Sequence, residues 1–197
     1  VAQNLVPDRR FHYEWFDISE WQVAAVKKMG LLPEHNLLDV GCGSLRFGME
    51  IIPYLNDGNY YGVDAFAPYL SLGKNIMEEL GVEKNYSLLH SVSFEFDKFE
   101  TKFDFAFAQS VFTHLSKSQI EDCIHALKKV MKPDGLFLFT YLQRKQPLGF
   151  LYYGRQPMIY TTFCTDRFLQ KIASQLNLEF KIVDLDHPSQ RVGTLKF

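Results

Sequence analysis

The chain has 197 residues, 47% of them hydrophobic and 22% charged, proportions ordinary for a soluble globular protein. That length buries a substantial core in one domain without covalent staples. A net charge of -2, with no long run of Lys or Arg, argues against a nucleic-acid partner, because phosphate binding needs a concentrated basic surface.

Short apolar runs alternate with helical patterns along the chain, as in a parallel sheet covered on both faces. Residues 21–29 carry apolar side chains at helical spacing. Residues 36–40 predict a strand running into Gly41-Cys42-Gly43, and a helix over 46–55 follows, with Pro53 near its end. A second strand over 59–63 closes on Asp64. The helix over 68–80 has Pro68 at an initiating position and Gly81 as its stop. Third and fourth strands are expected at 86–90 and 103–108. The helix over 117–131 has Ser116 as cap and Gln119 to complete a capping box. Its apolar face is Ile120, Cys123, Ile124, Leu127, Val130 and Met131. Pro133-Asp134-Gly135 then turns the chain into a fifth strand at 136–141. A helix over 166–176 and strands at 178–183 and 192–197 complete the pattern.

Residues 142–164 have no clean period and hold Pro147, Gly149, Gly154 and Pro157. They follow the carboxyl end of the fifth strand, where open α/β sheets bind ligands, and are expected to form an acceptor-side loop. No repeat or domain boundary appears, so residues 1–197 read as one domain with an N-terminal cap segment over 1–20. Cys42, Cys123 and Cys164 lie far apart without a CxxC spacing and read as packing residues in a reducing compartment. No apolar run approaches the roughly 18 residues of a spanning helix and no signal peptide opens the chain, so no membrane partner and a cytoplasmic location are expected.

The most informative segment is Leu37-Leu38-Asp39-Val40-Gly41-Cys42-Gly43. Its glycines let the backbone turn sharply against a ligand where a helix begins. Asp64, at the tip of the next strand, can accept both hydroxyls of a ribose. Together they imply a nucleoside-containing ligand. A dinucleotide fingerprint would place a third glycine where Arg46 stands, and Asp39 suits an ammonium better than a pyrophosphate. S-adenosylmethionine, with an ammonium, a sulfonium and no phosphate, fits those charges.

These residues, with Tyr60-Tyr61-Gly62-Val63-Asp64, the run from Phe103-Asp104-Phe105 to Gln109-Ser110-Val111-Phe112-Thr113-His114-Leu115, and Lys132-Pro133-Asp134-Gly135, resemble the class I S-adenosylmethionine-dependent methyltransferase superfamily. The resemblance implies an α/β Rossmann-like fold, a mostly parallel seven-stranded sheet of order 3-2-1-4-5-7-6 with helices on both faces. It also implies S-adenosyl-L-methionine as cofactor. Asp39, Gly41, Cys42 and Gly43 would surround the methionine end, with Gln109 facing it through its backbone. Asp64 would hold the ribose, and Ala65 and Phe66 would lie along the adenine. The chain departs from the family at His90-Ser91-Val92, where an acid often meets the adenine amine. The backbone of Ser91 and Val92 is expected there instead.

Methyl transfer is an in-line displacement, so the protein mainly aligns the partners and excludes water. A hydroxyl acceptor gains from a general base, and His114, just past the fourth strand, is the candidate; the competing reading is a packing or capping histidine. His12, Tyr13, Arg46, Arg144 and Tyr153 are candidate acceptor contacts. Arg46 reads more often as a solvated first-turn residue, and Tyr152-Tyr153 as structural. His187, between the last two strands, is a weaker candidate base. No acid or histidine cluster has metal-ligand spacing, so metal-independent chemistry is expected. A small-molecule acceptor is expected, methylated on an oxygen of a metabolite, phosphorylated compound or sugar derivative. The alternatives are an NAD-dependent oxidoreductase and an inactive, cofactor-binding scaffold subunit; the oligomeric state is open.

Overall fold

The computed structural model describes residues 9–143, 152–153, 156–157 and 162–197. Helix α1 (Arg9–Lys28) leads through Gly30, at φ +96°, into strand β1 (Leu37–Val40). There follow α2 (Arg46–Ile51), β2 (Tyr60–Asp64), α3 (Ala67–Glu79) and β3 (Ser87–His90). A single 3-10 turn at Phe96–Phe99 precedes β4 (Phe103–Ala108), α4 (Lys117–Val130) and β5 (Met131–Gln143). Two short strands, β6 (Tyr152–Tyr153) and β7 (Gln156–Pro157), pair with each other. Strand β8 (Phe163–Cys164), α5 (Asp166–Gln175), β9 (Glu179–Val183) and β10 (Arg191–Lys196) close the order.

The main sheet runs β3-β2-β1-β4-β5-β10-β9. With β9 and β10 counted as the sixth and seventh long strands, this is the expected 3-2-1-4-5-7-6, and β10 is antiparallel to both neighbours. The sheet has eight strands rather than seven, because β8 pairs in parallel with the end of β5.

Period-2 alternation builds both faces. Leu38, Ala106, Phe137 and Phe139 turn toward Ile120, Ile124 and Leu127 of α4 and Leu169 and Ile172 of α5. Leu37, Phe105, Phe107 and Leu138 turn the other way, onto Ala25 and Val26 of α1, Phe47 of α2 and Met77 of α3. The abundance of phenylalanine has a structural use here: Phe112, Phe137, Phe139 and Phe180 form a run of ring contacts on the first face.

Helix α4 begins as its sequence predicts. Ser116 Oγ accepts the Gln119 N–H at 3.2 Å, and Gln119 Oε1 accepts the Ser116 N–H at 2.8 Å. Three boundaries differ from expectation. Helix α1 starts twelve residues earlier than the 21–29 pattern, at Arg9, and so takes in residues 9–20 of the expected cap segment, His12 and Tyr13 among them. Helix α2 ends at Ile51, ahead of Pro53, which cannot donate to the ladder. Strand β5 begins at Met131: Phe103 faces Met131 and Phe105 faces Leu136, so residues 132–135 bulge out of register. The turn chemistry is still present inside that bulge, with Asp134 at φ +64°. No helix among the described residues is long and apolar enough to cross a membrane.

Candidate active site

Because β1, β2 and β4 run parallel and β10 runs against β5, the glycine turn, Asp64, Gln109 and the loop before β10 meet at one edge of the sheet. The turn hangs from β2: the N–H groups of Gly41 and Cys42 both donate to the Val63 carbonyl, at 2.8 and 3.1 Å. Gly41 and Gly43 are left-handed, at φ +73° and +56°. A Cβ on Gly41 would lie 2.5 Å from Val111 Cγ2, so only glycine lets the turn pack against the segment after β4. A Cβ on Gly43 would meet nothing within 4 Å, which leaves an open face above the turn.

Asp64 ties the turn to the next loop. Its Oδ2 accepts the Gly43 N–H and its Oδ1 the Phe66 N–H, each at 2.8 Å. An ionised carboxylate has about four lone-pair positions, so two remain for ligand hydroxyls. Beyond it Ala65 is exposed and Phe66 is 52% exposed, its ring edge-on to Tyr69 at 4.8 Å. Ser91 is tied into the protein at the end of β3. It is buried, its N–H donates to the Asp64 carbonyl at 3.1 Å, and its hydroxyl donates to Glu95 Oε2 at 3.0 Å. Its amide is therefore engaged within the protein, whereas Val92 is 71% exposed. Glu95 brings a carboxylate beside the position where the sequence shows none, through a loop contact that spacing alone does not reveal.

On the other side of the turn, Asp39 is 4% exposed and accepts the Tyr60 hydroxyl at 2.5 Å. Burial raises its pKa to about 7; Tyr60 opposes the shift, Asp64 adds to it and Arg46 subtracts. The Cys42 thiol is pushed far above its usual value by burial, then by Asp39 and Asp64, which makes it a packing residue and not a nucleophile. Arg46 is half-buried. Burial lowers its pKa while Asp39 supports its charge, and Nη2 donates to Gln109 Oε1 at 3.0 Å.

The Gln109 side chain is engaged within the protein. Its Oε1 also receives Gln22 Nε2 at 3.4 Å, and its Nε2 donates to Ser110 Oγ at 2.7 Å. Gln190 Nε2 reaches the same hydroxyl at 2.6 Å. Ser110 is left-handed, at φ +59°, and is held by its N–H on Thr140 Oγ1 at 2.8 Å and its carbonyl on Thr113 Oγ1 at 2.7 Å. Strained non-glycine backbone of this kind gathers at functional sites.

His114 is exposed on the turn after β4, its N–H bonded to the Val111 carbonyl at 2.9 Å, and no described side chain hydrogen-bonds its ring. His187 is half-buried against Trp21, rings edge-on at 4.5 Å, and burial lowers its pKa to about 4. Its Nδ1 accepts the N–H groups of Ser189 and Gln190. His187 and Gln190 line a cavity of about 580 Å³ with Asp184, Asp186 and Arg191. The side chains of His12, Tyr13 and Tyr153, and Arg144 as a whole, lie outside the described residues.

A family model described as a methyltransferase domain matches residues 38–137, from β1 through the glycine turn to β5. The magnesium protoporphyrin IX methyltransferase of Synechocystis PCC 6803, in its crystal structure with bound SAH, superposes with a TM-score of 0.70 at 12% identity, covering 99% of this chain and 92% of that one. An S-adenosylmethionine-dependent methyltransferase from Clostridium acetobutylicum gives 0.67 at 14% identity, over 91% and 90%. A putative O-methyltransferase from Nostoc punctiforme gives 0.68 at 15% identity, over 90% of this chain and 55% of that one. At these identities the likeness is one of fold.

Proposed function

Because the chain belongs to the methyltransferase-domain family, we propose that it transfers a methyl group from S-adenosyl-L-methionine to an oxygen of a small-molecule acceptor, a metabolite, phosphorylated compound or sugar derivative. The observation that carries the cofactor reading is the Asp64 carboxylate bonded to the Gly43 N–H beneath an open face of the turn. The remaining lone pairs of Asp64 take the ribose hydroxyls, and Phe66 and Val92 supply apolar surface for the adenine, with Ala65 and Ser91 beside them. Asp39 and Arg46 lie on the other side of the turn, a carboxyl group that an incoming ammonium would favour in its ionised form and a cation, together suited to an amino-acid end. Gly41, Cys42 and Gly43 bring backbone close, and Gln109 holds Arg46 in place.

The cofactor supplies an electron-poor methyl on sulfur; the protein's part is alignment, exclusion of water and removal of the acceptor proton. For a hydroxyl acceptor we assign that proton to His114, whose ring has no hydrogen-bonded partner among the described residues. Arg144, Tyr153, His12 and Tyr13 are assigned to the acceptor side.

Calorimetric titration with S-adenosylmethionine and with NAD tests the cofactor; binding of NAD alone would overturn it. A metabolite screen read by S-adenosylhomocysteine release tests the acceptor. Turnover only on amine acceptors would refute oxygen methylation, and cofactor binding without any turnover would favour a scaffold role.

A further inference from the structure

The buried polar atoms without a partner among the described residues are Gln22 Oε1, Gln190 Oε1 and His187 Nε2, and all belong to one hydrogen-bonded chain. It runs from Arg46 through Gln109 to Gln22, and from Gln109 through Ser110 to Gln190 and the His187 ring. Folded proteins satisfy nearly all buried polar groups, so three open valences in one cluster at the site edge call for an explanation. We infer that Gln22, Gln190 and His187 form the recognition surface for the methyl acceptor, and that it takes an uncharged, hydroxyl-bearing molecule in preference to a phosphorylated or carboxylated one. This inference rests on the methyltransferase reading and narrows its acceptor.

The polarity of the chain is set at one end by a group that only donates. Arg46 makes Gln109 Oε1 an acceptor, so Gln22 must present its NH2 there and turn its oxygen away. Gln22 is 5% exposed, which leaves that oxygen an acceptor shielded from water. At the other end, two backbone N–H groups donate to His187 Nδ1, which places the ring hydrogen of neutral His187 on Nε2. Nε2–H is then a donor, so His187 holds an oxygen and does not act as the base. Hydroxyls both donate and accept, so a molecule bearing several can serve the acceptor at Gln22 and the donor at His187; an anionic group only accepts and leaves Gln22 unpaired. The adjoining cavity adds to this bias. Its Arg191 is paired with Asp166 at 3.0 Å, and it carries Asp184 and Asp186, which repel anions.

The test uses the full chain loaded with S-adenosylhomocysteine and a library of phenols, polyols and glycosides, each beside its phosphate monoester. Binding is read by calorimetry and by the rise in unfolding midpoint. Uncharged members are expected to bind and their monoesters to bind at least about tenfold more weakly. Gln22→Leu and His187→Phe should each weaken the uncharged members by about tenfold or more while holding S-adenosylhomocysteine within about twofold. Gln22→Leu decides the matter if His187→Phe folds poorly for want of an acceptor for the Ser189 and Gln190 N–H groups. Binding of monoesters in preference, full binding to Gln22→Leu, or no binding by any uncharged member overturns the inference. Failure of the wild-type chain to bind S-adenosylhomocysteine overturns the cofactor reading and this one with it; binding of S-adenosylhomocysteine alone overturns only this one.

Discussion

Asp39→Asn separates the electrostatic cost of the buried carboxylate from its shape. Burial holds the native carboxyl at about 7, against 3.8 for the ordinary group. The native state therefore keeps its proton more tightly than the unfolded chain. The contribution of Asp39 is fully present below about pH 4 and is lost as pH rises through about 7. A shift of roughly three units at 1.36 kcal/mol each amounts to about 4 kcal/mol, with the support that Arg46 gives the ionised form already included. Asn keeps an oxygen for the Tyr60 hydroxyl and has no charge to desolvate. Relative to wild type, Asp39→Asn should be near neutral at pH 4 and more stable by up to about 4 kcal/mol at pH 8. Urea unfolding from pH 4 to pH 8 measures this; with a slope of roughly 2–3 kcal/mol per molar, the midpoints should separate by about 1.3–2 M at the alkaline end. Parallel pH curves for the two proteins would mean that Asp39 is ionised throughout, and the burial argument would fail.

Asp64→Ala should weaken S-adenosylmethionine by about 1.5–3 kcal/mol in calorimetry, the scale of hydrogen bonds to a charged group, and Asp64→Glu should hurt less. Unchanged affinity would remove Asp64 from the cofactor site. Gly41→Ala should cost about 2–4 kcal/mol, combining left-handed strain with the overlap on Val111, whereas Gly43→Ala meets open space and should cost only about 1–2 kcal/mol in the free protein. Equal losses in denaturant unfolding would contradict the packing of the turn on Val111. His114→Ala should lower turnover by about 10²–10⁴ with cofactor affinity unchanged. Near-normal turnover would leave alignment alone to carry the reaction.

What the sequence made legible was local. The strand cores at β1, β2 and β4 are apolar runs, α4 announces itself through Ser116 and Gln119, and the glycine turn with Asp64 follows from spacing and chemistry. What it hid depends on partners distant in the chain. The side-chain network at Gln109 is one case, since Gln22 and Gln190, 87 and 80 residues away along the chain from Gln109 and Ser110, converge on it and its neighbour. His187 is an ordinary loop histidine in sequence; Trp21 packing and two backbone donors define its tautomer. The start of β5 was likewise misplaced, because Pro133-Asp134-Gly135 is a sound turn signal locally. The Asp134 N–H is nonetheless bonded to the Phe197 carbonyl and the Phe197 N–H to the Gly135 carbonyl, a pairing that no local pattern foretells.

The position of β10 bears on how the sheet is assembled. It lies between β5 and β9 although it follows both in the chain. While a nascent chain has emerged only as far as β9, β5 offers an open edge with Phe137 and Phe139 along it, and β9 has no sheet neighbour among the described strands. Exposed apolar edges of that kind recruit other chains. Docking β9 before β10 would also leave a gap one strand wide that β10 must enter while pairing on both sides at once. The units β3-β2-β1-β4-β5 and β9-β10 therefore have reason to form separately and join late. The antiparallel hairpin then arrives as a unit and covers the open edge of β5.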